Sequence, residues 1–78
     1  MTVSERLARY RWRERLSLSE LASKLGVSKS YLHDVERGKR PLSPRLASAM
    51  ERVAGWDAQR VLGQVARERM EKYLATID

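Results

Sequence analysis

An all-α domain of five helices is the reading these residues favour, and three features lead to it. No stretch shows the strict apolar–polar alternation of a half-buried strand. Two prolines and four glycines are the only strong punctuation in 78 residues. Between them, apolar residues recur three and four apart, and each such run follows a Ser, Thr or Asp able to cap a helix.

The first helix is expected over about Ser4 to Glu14, where Thr2-x-x-Glu5 has the form of a capping box and Val3, Leu7 and Tyr10 make an inner stripe. The second follows Ser17, whose hydroxyl can bond first-turn amides while Glu20 reaches back; Leu21, Ala22 and Leu25 face inward. Gly26 then permits a positive backbone angle, Val27 plugs the corner and Ser28 caps a third helix at once. So short a turn makes the two helices cross steeply. The third helix ends at Gly38, with Arg37 complementing its dipole. A fourth starts at Ser43-Pro44, cap followed by first-turn proline, and closes near Gly55, with Leu46, Ala49, Met50 and Val53 inward. Asp57 caps a fifth and longer helix from about Ala58 to Ile77.

A chain this short has room for one small core with a thin stability margin, and oligomerisation is a natural supplement. With no cysteine, disulfides and thiolate metal sites are out of reach, and a single histidine makes a poor start for a zinc site. A cofactor-free cytoplasmic protein is expected. No apolar run has the length of a membrane span, and Met1 to Ser4 lack the basic start of a secretory signal.

The formal net charge of +6 is unevenly spread. Residues 1–45 hold eleven Lys/Arg against five Asp/Glu, whereas residues 46–78 hold five of each. A polyanion would therefore meet the N-terminal part and leave the C-terminal part for another task, the plain alternative being an inert basic surface.

On a helical wheel, residues 29–37 gather Tyr31, Leu32 and Val35 on a core side. Opposite them lie Ser30, Asp34 and Arg37, flanked by Lys29 and His33. Short and medium polar side chains suit the edges of DNA bases: serine donates or accepts, lysine reaches guanine, and aspartate accepts from the cytosine amino group. Arg37, Lys39 and Arg40, at and beyond the helix end, suit phosphates. A merely solvated helix is the alternative, and the tight preceding turn with its adjoining basic loop argues against it.

The stretch from Ser17 to Gly38 resembles the helix-turn-helix of the Cro and phage-repressor family, also called XRE. The resemblance rests on Leu21-Ala22, on Leu25-Gly26-Val27-Ser28 and on Glu36-Arg37-Gly38, in that order and spacing, and extends from about Leu7 to Gly55. It implies a compact lambda-repressor-like domain, expected over residues 1–56; residues 57–78 lie outside the resemblance and are expected to form an extended C-terminal helix, a dimerisation element. It also implies that the third helix recognises double-stranded DNA, with Lys29, Ser30 and Asp34 toward bases, and that the second directs first-turn amides near Leu18 and Ser19 at a phosphate. The family pairs an arginine of the first helix with the glutamate before the closing Arg-Gly, here Arg11 and Glu36. Independently, the wheel sets Glu36 beside the inward face, where an unpaired carboxylate is costly.

Three departures stand out. Leu18 occupies a position where many members carry a phosphate-touching glutamine, and reads as an exposed leucine. Arg15 replaces a turn glycine, which strains the corner and adds charge. Asp34 repels phosphate unless it meets a cytosine or pairs with Lys29 or Arg37; it either contacts a base or disfavours wrong sites.

Ser30, His33 and Asp34 superficially resemble a hydrolase triad, but a domain of this kind offers neither oxyanion hole nor deep pocket, and a non-enzymatic protein is expected. His33 is left between DNA contact and solvent. Trp56 is expected between helices, and Trp12, flanked by Arg11 and Arg13, at a rim. In the last helix Val61, Leu62 and Val65 point one way, while Ala66, Met70, Tyr73, Leu74 and Ile77 centre further round. The first group is expected on its own domain. The second, with Met70, Tyr73, Leu74 and Ile77 as contacts, is expected on a partner chain, most simply a second copy, with Arg67/Glu71 and Glu68/Lys72 bracing the outer surface. The alternatives are a helix folded wholly onto its own domain, and a protein-interaction module such as an antitoxin whose C-terminal helix covers a toxin.

Overall fold

The computed structural model describes residues 1–76. Five helices follow one another: α1 (Val3–Arg13), α2 (Leu18–Leu25), α3 (Lys29–Glu36), α4 (Pro44–Ala54) and α5 (Ala58–Ala75). Each begins at the cap its sequence offers. The hydroxyls of Thr2, Ser17, Ser28 and Ser43 and the carboxylate of Asp57 accept from amides three residues on. Glu5 and Glu20 complete reciprocal boxes, accepting from the backbone N–H of Thr2 and Ser17 at 3.2 and 2.8 Å. These amides, and then the cap hydroxyls, hold both carboxyls below their ordinary value.

Between α2 and α3 the chain spends three residues. Gly26 takes φ 69 with open space where a β-carbon would stand, and the N–H of Val27 donates to the Ala22 carbonyl at 3.1 Å, closing the helix end. The α1–α2 corner is made differently, by Arg15 at φ 56, the one non-glycine residue with positive φ among those described. Each of α2 and α3 is eight residues long, too short to persist alone, so packing holds them in place. α3 packs on α1 and α2, α4 on α2, and α5 on α4 and α1. Leu7, Leu21, Leu32, Leu46 and Met50 meet in a core with no exposed surface, and Val3, Val35, Trp56 and Val61 close its margins.

One buried and one half-buried residue escape the periodic reading. Leu42 lies between helices in sequence yet is buried. It precedes the Ser43 cap, and Ala47, five residues on, is buried in the same cluster, the arrangement of a hydrophobic staple that fixes how the chain enters α4. Leu18, expected as an exposed leucine, is instead half-buried and packs against the core. At the first position of α2, covering its apolar side chain against the core gains more than exposure does.

The bracing expected on α5 is also replaced. Glu68 Oε2 accepts from the N–H of Val3 at 2.9 Å and from Gln64 Nε2 at 3.1 Å, and Gln64 also donates to the Met1 carbonyl at 3.0 Å. Among the described residues neither Glu68–Lys72 nor Arg67–Glu71 is an ion pair. A free first-turn amide of α1, at the positive end of the helix dipole, is the better partner for a carboxylate than a solvated lysine. α5 is thereby tied to the start of α1 as far as Glu68. Beyond that point every described residue is exposed, and the molecule extends 42 Å against 22 and 20 Å in the other directions.

Candidate nucleic-acid interface

α3 presents Lys29, Ser30 and His33 to solvent, with Arg37 at its C-terminal cap also exposed. Asp34 belongs to the same surface but is half-buried. The reason lies in the loop that follows. Gly38 takes φ 75 and turns the chain back, so that the amides of Lys39 and Arg40 reach the Asp34 carbonyl at 2.9 and 3.4 Å. Arg40 then approaches with its side chain as well, Nε 3.4 Å from Asp34 Oδ2. Asp34 thus pairs with Arg40 rather than with Lys29 or Arg37, because the glycine turn delivers that residue. With the Arg40 side chain 62% exposed, the pair is worth at most about 1 kcal/mol, so it orients Arg40 more than it stabilises the fold.

Tyr31 anchors the loop from the other side. Its hydroxyl donates to the Pro41 carbonyl at 3.2 Å and accepts from the Ser43 N–H at 3.1 Å. Sequence reasoning assigned Tyr31 to the core by its wheel position and overlooked the hydroxyl, which needs a partner when the ring is partly buried. Residues 37–43 are therefore fastened to α3 by both Asp34 and Tyr31.

Behind α3, Arg11 of α1 grips Glu36 with two parallel bonds, Nε to Oε2 at 2.7 Å and Nη2 to Oε1 at 3.0 Å, and its remaining nitrogen donates to the Leu16 carbonyl at 3.2 Å. The side chains are 14% and 6% exposed. Hydrogen bonding to Glu36 raises the Arg11 pKa further above its ordinary range. The pair ties α1 to the C-terminal end of α3 and the α1–α2 corner.

At the start of α2 the amides of Leu18 and Ser19 precede the first intrahelical bond, which Leu21 makes to the Ser17 carbonyl, while the Ser17 hydroxyl takes the amide of Glu20. The first-turn amides of Leu18 and Ser19 are thus without a partner inside their own helix. The exposed face of α3 and the basic loop are thus held together by Asp34 and Tyr31. No hydrogen bond joins the Ser30, His33 and Asp34 side chains among the described residues.

Of the four residues expected at a partner interface, Met70, Tyr73 and Leu74 are 57%, 62% and 59% exposed, and Ile77 lies outside the described residues. Trp12 is 73% exposed beneath the Arg11 guanidinium, which stands 5.4 Å from its ring centroid. Trp56 is buried between helices, with Arg6 stacked on its ring at 4.0 Å. No described helix is long and apolar enough to cross a membrane.

Comparison with known proteins agrees with this geometry. No curated protein and no solved structure matches the chain. A family model described as a helix-turn-helix domain matches residues 3–62, from the first residue of α1 into α5. By tight turn, helix order and matched length alike, the chain belongs to the helix-turn-helix domain family.

Proposed function

We propose that the protein is a sequence-specific regulator that binds double-stranded DNA, acting as a repressor on a palindromic operator as a homodimer. What supports this reading is the exposed polar face of α3, with the basic loop behind it fastened through Asp34 and Tyr31, in a chain of the helix-turn-helix family. Lys29, Ser30, His33 and Asp34 read base edges in the major groove, the free lone pairs of Asp34 accepting from a cytosine amino group. The amides of Leu18 and Ser19, with Arg37, Lys39 and Arg40, hold phosphates and set the register. The resemblance to the Cro and phage-repressor family supports the same assignment.

Dimerisation rests on α5. Met70, Tyr73 and Leu74 are large apolar side chains exposed on a helix that has left its own core, and a second copy is the simplest partner to cover them. Two-fold pairing would set two recognition helices about 34 Å apart, one turn of duplex, and give tight binding from two weak contacts. The same exposed face supports a second reading, a helix-turn-helix protein that uses α5 to cover another protein, as an antitoxin does.

A salt titration distinguishes the two. Affinity for duplex should fall steeply with salt if phosphates are neutralised, with a logarithmic slope near −0.9 per phosphate engaged. Failure to bind selected or random duplex at low salt contradicts the DNA-binding proposal.

A further inference from the structure

We infer that the cleft between α1 and the first half of α5 binds a small polyanion, a molecule carrying phosphate groups or several carboxylates. The cleft measures about 650 Å³ and is lined by Arg6 from α1 and by Arg60, Gln64 and Arg67 around Gly63 on α5. Arg60 and Arg67 are seven residues apart, about two turns, and so share a face of the helix. Gly63 between them carries no side chain. Arg67 lies back along the helix over Gly63, its Nη1 3.9 Å from where a Gly63 β-carbon would stand. Arg6 is held from the other wall by stacking on Trp56, 4.0 Å from the ring centroid.

Three arginines thus line one concavity, and like charges brought to one cleft repel one another. Among the described residues none of them is in an ion pair. The one carboxylate lining the cleft, Asp57, already accepts the Arg60 amide through Oδ1 at 3.2 Å as the cap of α5. Positive charge is left uncompensated, and planar guanidinium forks match phosphate and carboxylate oxygens two at a time.

The cleft is separate from the proposed DNA surface. Arg6 precedes Arg11, which faces α3, by five residues, a rotation of about 140° around α1. Gln64 and Arg67 also lie beyond the residues matched by the helix-turn-helix family, which end at 62. A ligand here would bridge α1 and α5 just ahead of Glu68, the last tie between them.

Equilibrium dialysis of the full chain with labelled pyrophosphate, and separately with citrate, tests the site. Saturable binding of one equivalent of either anion is expected. Arg60→Gln and Arg67→Gln should each weaken it by about tenfold or more, the loss of a charge-assisted contact. Duplex affinity of both variants, measured without the anion, should match the wild type. A Trp12→Phe background leaves Trp56 as the only tryptophan, and its fluorescence should change along the same binding curve. Uptake that rises linearly without saturation for both anions, or equal affinity in the arginine variants, overturns the inference. So does a variant that loses duplex affinity while never having bound the small anions. Because no DNA is needed for the dialysis, its outcome is independent of whether α3 reads bases.

Discussion

Arg15 holds φ 56, a conformation that costs an L-residue roughly 1 kcal/mol and glycine little. Replacing it with glycine should raise stability by about 0.5–1 kcal/mol, read as a higher urea midpoint with unchanged slope; a fall would mean that the arginine side chain contributes more than the strain removes. The strain was legible through the family resemblance, since Arg15 stands where a turn glycine is usual. Arg11 and Glu36 make a sharper case. Arg11→Met strands a carboxylate that is 6% exposed and should cost about 3–5 kcal/mol, whereas Arg11→Met with Glu36→Leu should recover most of it, as a double-mutant cycle on thermal or urea unfolding will show. Glu20 and Glu5 have carboxyls held below their ordinary value, so their contribution is fully present above that value and is lost as pH falls through the lowered one. Stability of Glu20→Gln relative to wild type should therefore converge as the medium is acidified below the ordinary carboxylate range, and a gap that stays constant down to the lowest pH would contradict the linkage. Asp34 was less legible. Its neighbour Arg40 is six positions on, and only the glycine turn at Gly38 makes that pairing a short-range one.

Each helix start was legible because a cap is a local event: one side chain, one amide, three residues apart. The docking of loop 37–43 was not, since it depends on a hydroxyl at Tyr31 meeting backbone groups of Pro41 and Ser43 ten and twelve residues away. Tyr31→Phe removes both bonds and should cost about 1–2 kcal/mol, with faster amide exchange at Ser43 as its local signature; an unaltered exchange rate would show that Leu42 alone fixes the loop. The last element was read in halves. Its early apolar face is on the core through Val61, Leu62 and Val65, but the tie of Glu68 to Val3 spans 65 residues and no periodicity announces it. That tie sets where a truncation belongs. Removing the residues after Arg69 keeps Glu68 and takes away Met70, Tyr73 and Leu74, so the shortened chain should stay folded and sediment as a monomer. An unchanged mass in solution would count against pairing through α5.

The whole molecule combines a body whose excess positive charge lies in residues 1–45 with a tail beyond Glu68 that exposes Met70, Tyr73 and Leu74. If the tail pairs two bodies, binding to a palindrome should exceed binding to one half-site far more than twofold, through the high effective concentration of the second domain. We propose that the outer face of α3 distinguishes bases while the loop behind it only holds phosphates. The most direct measurement is the affinity of wild type, Lys29→Ala, Ser30→Ala and Arg40→Ala for a duplex selected from a random pool and for each of its single base-pair variants. Lys29→Ala and Ser30→Ala should each flatten discrimination at one or two positions by about 1–3 kcal/mol, and Arg40→Ala should weaken every duplex alike with a shallower salt slope. Equal losses on every sequence from all three substitutions would mean that α3 does not read the bases.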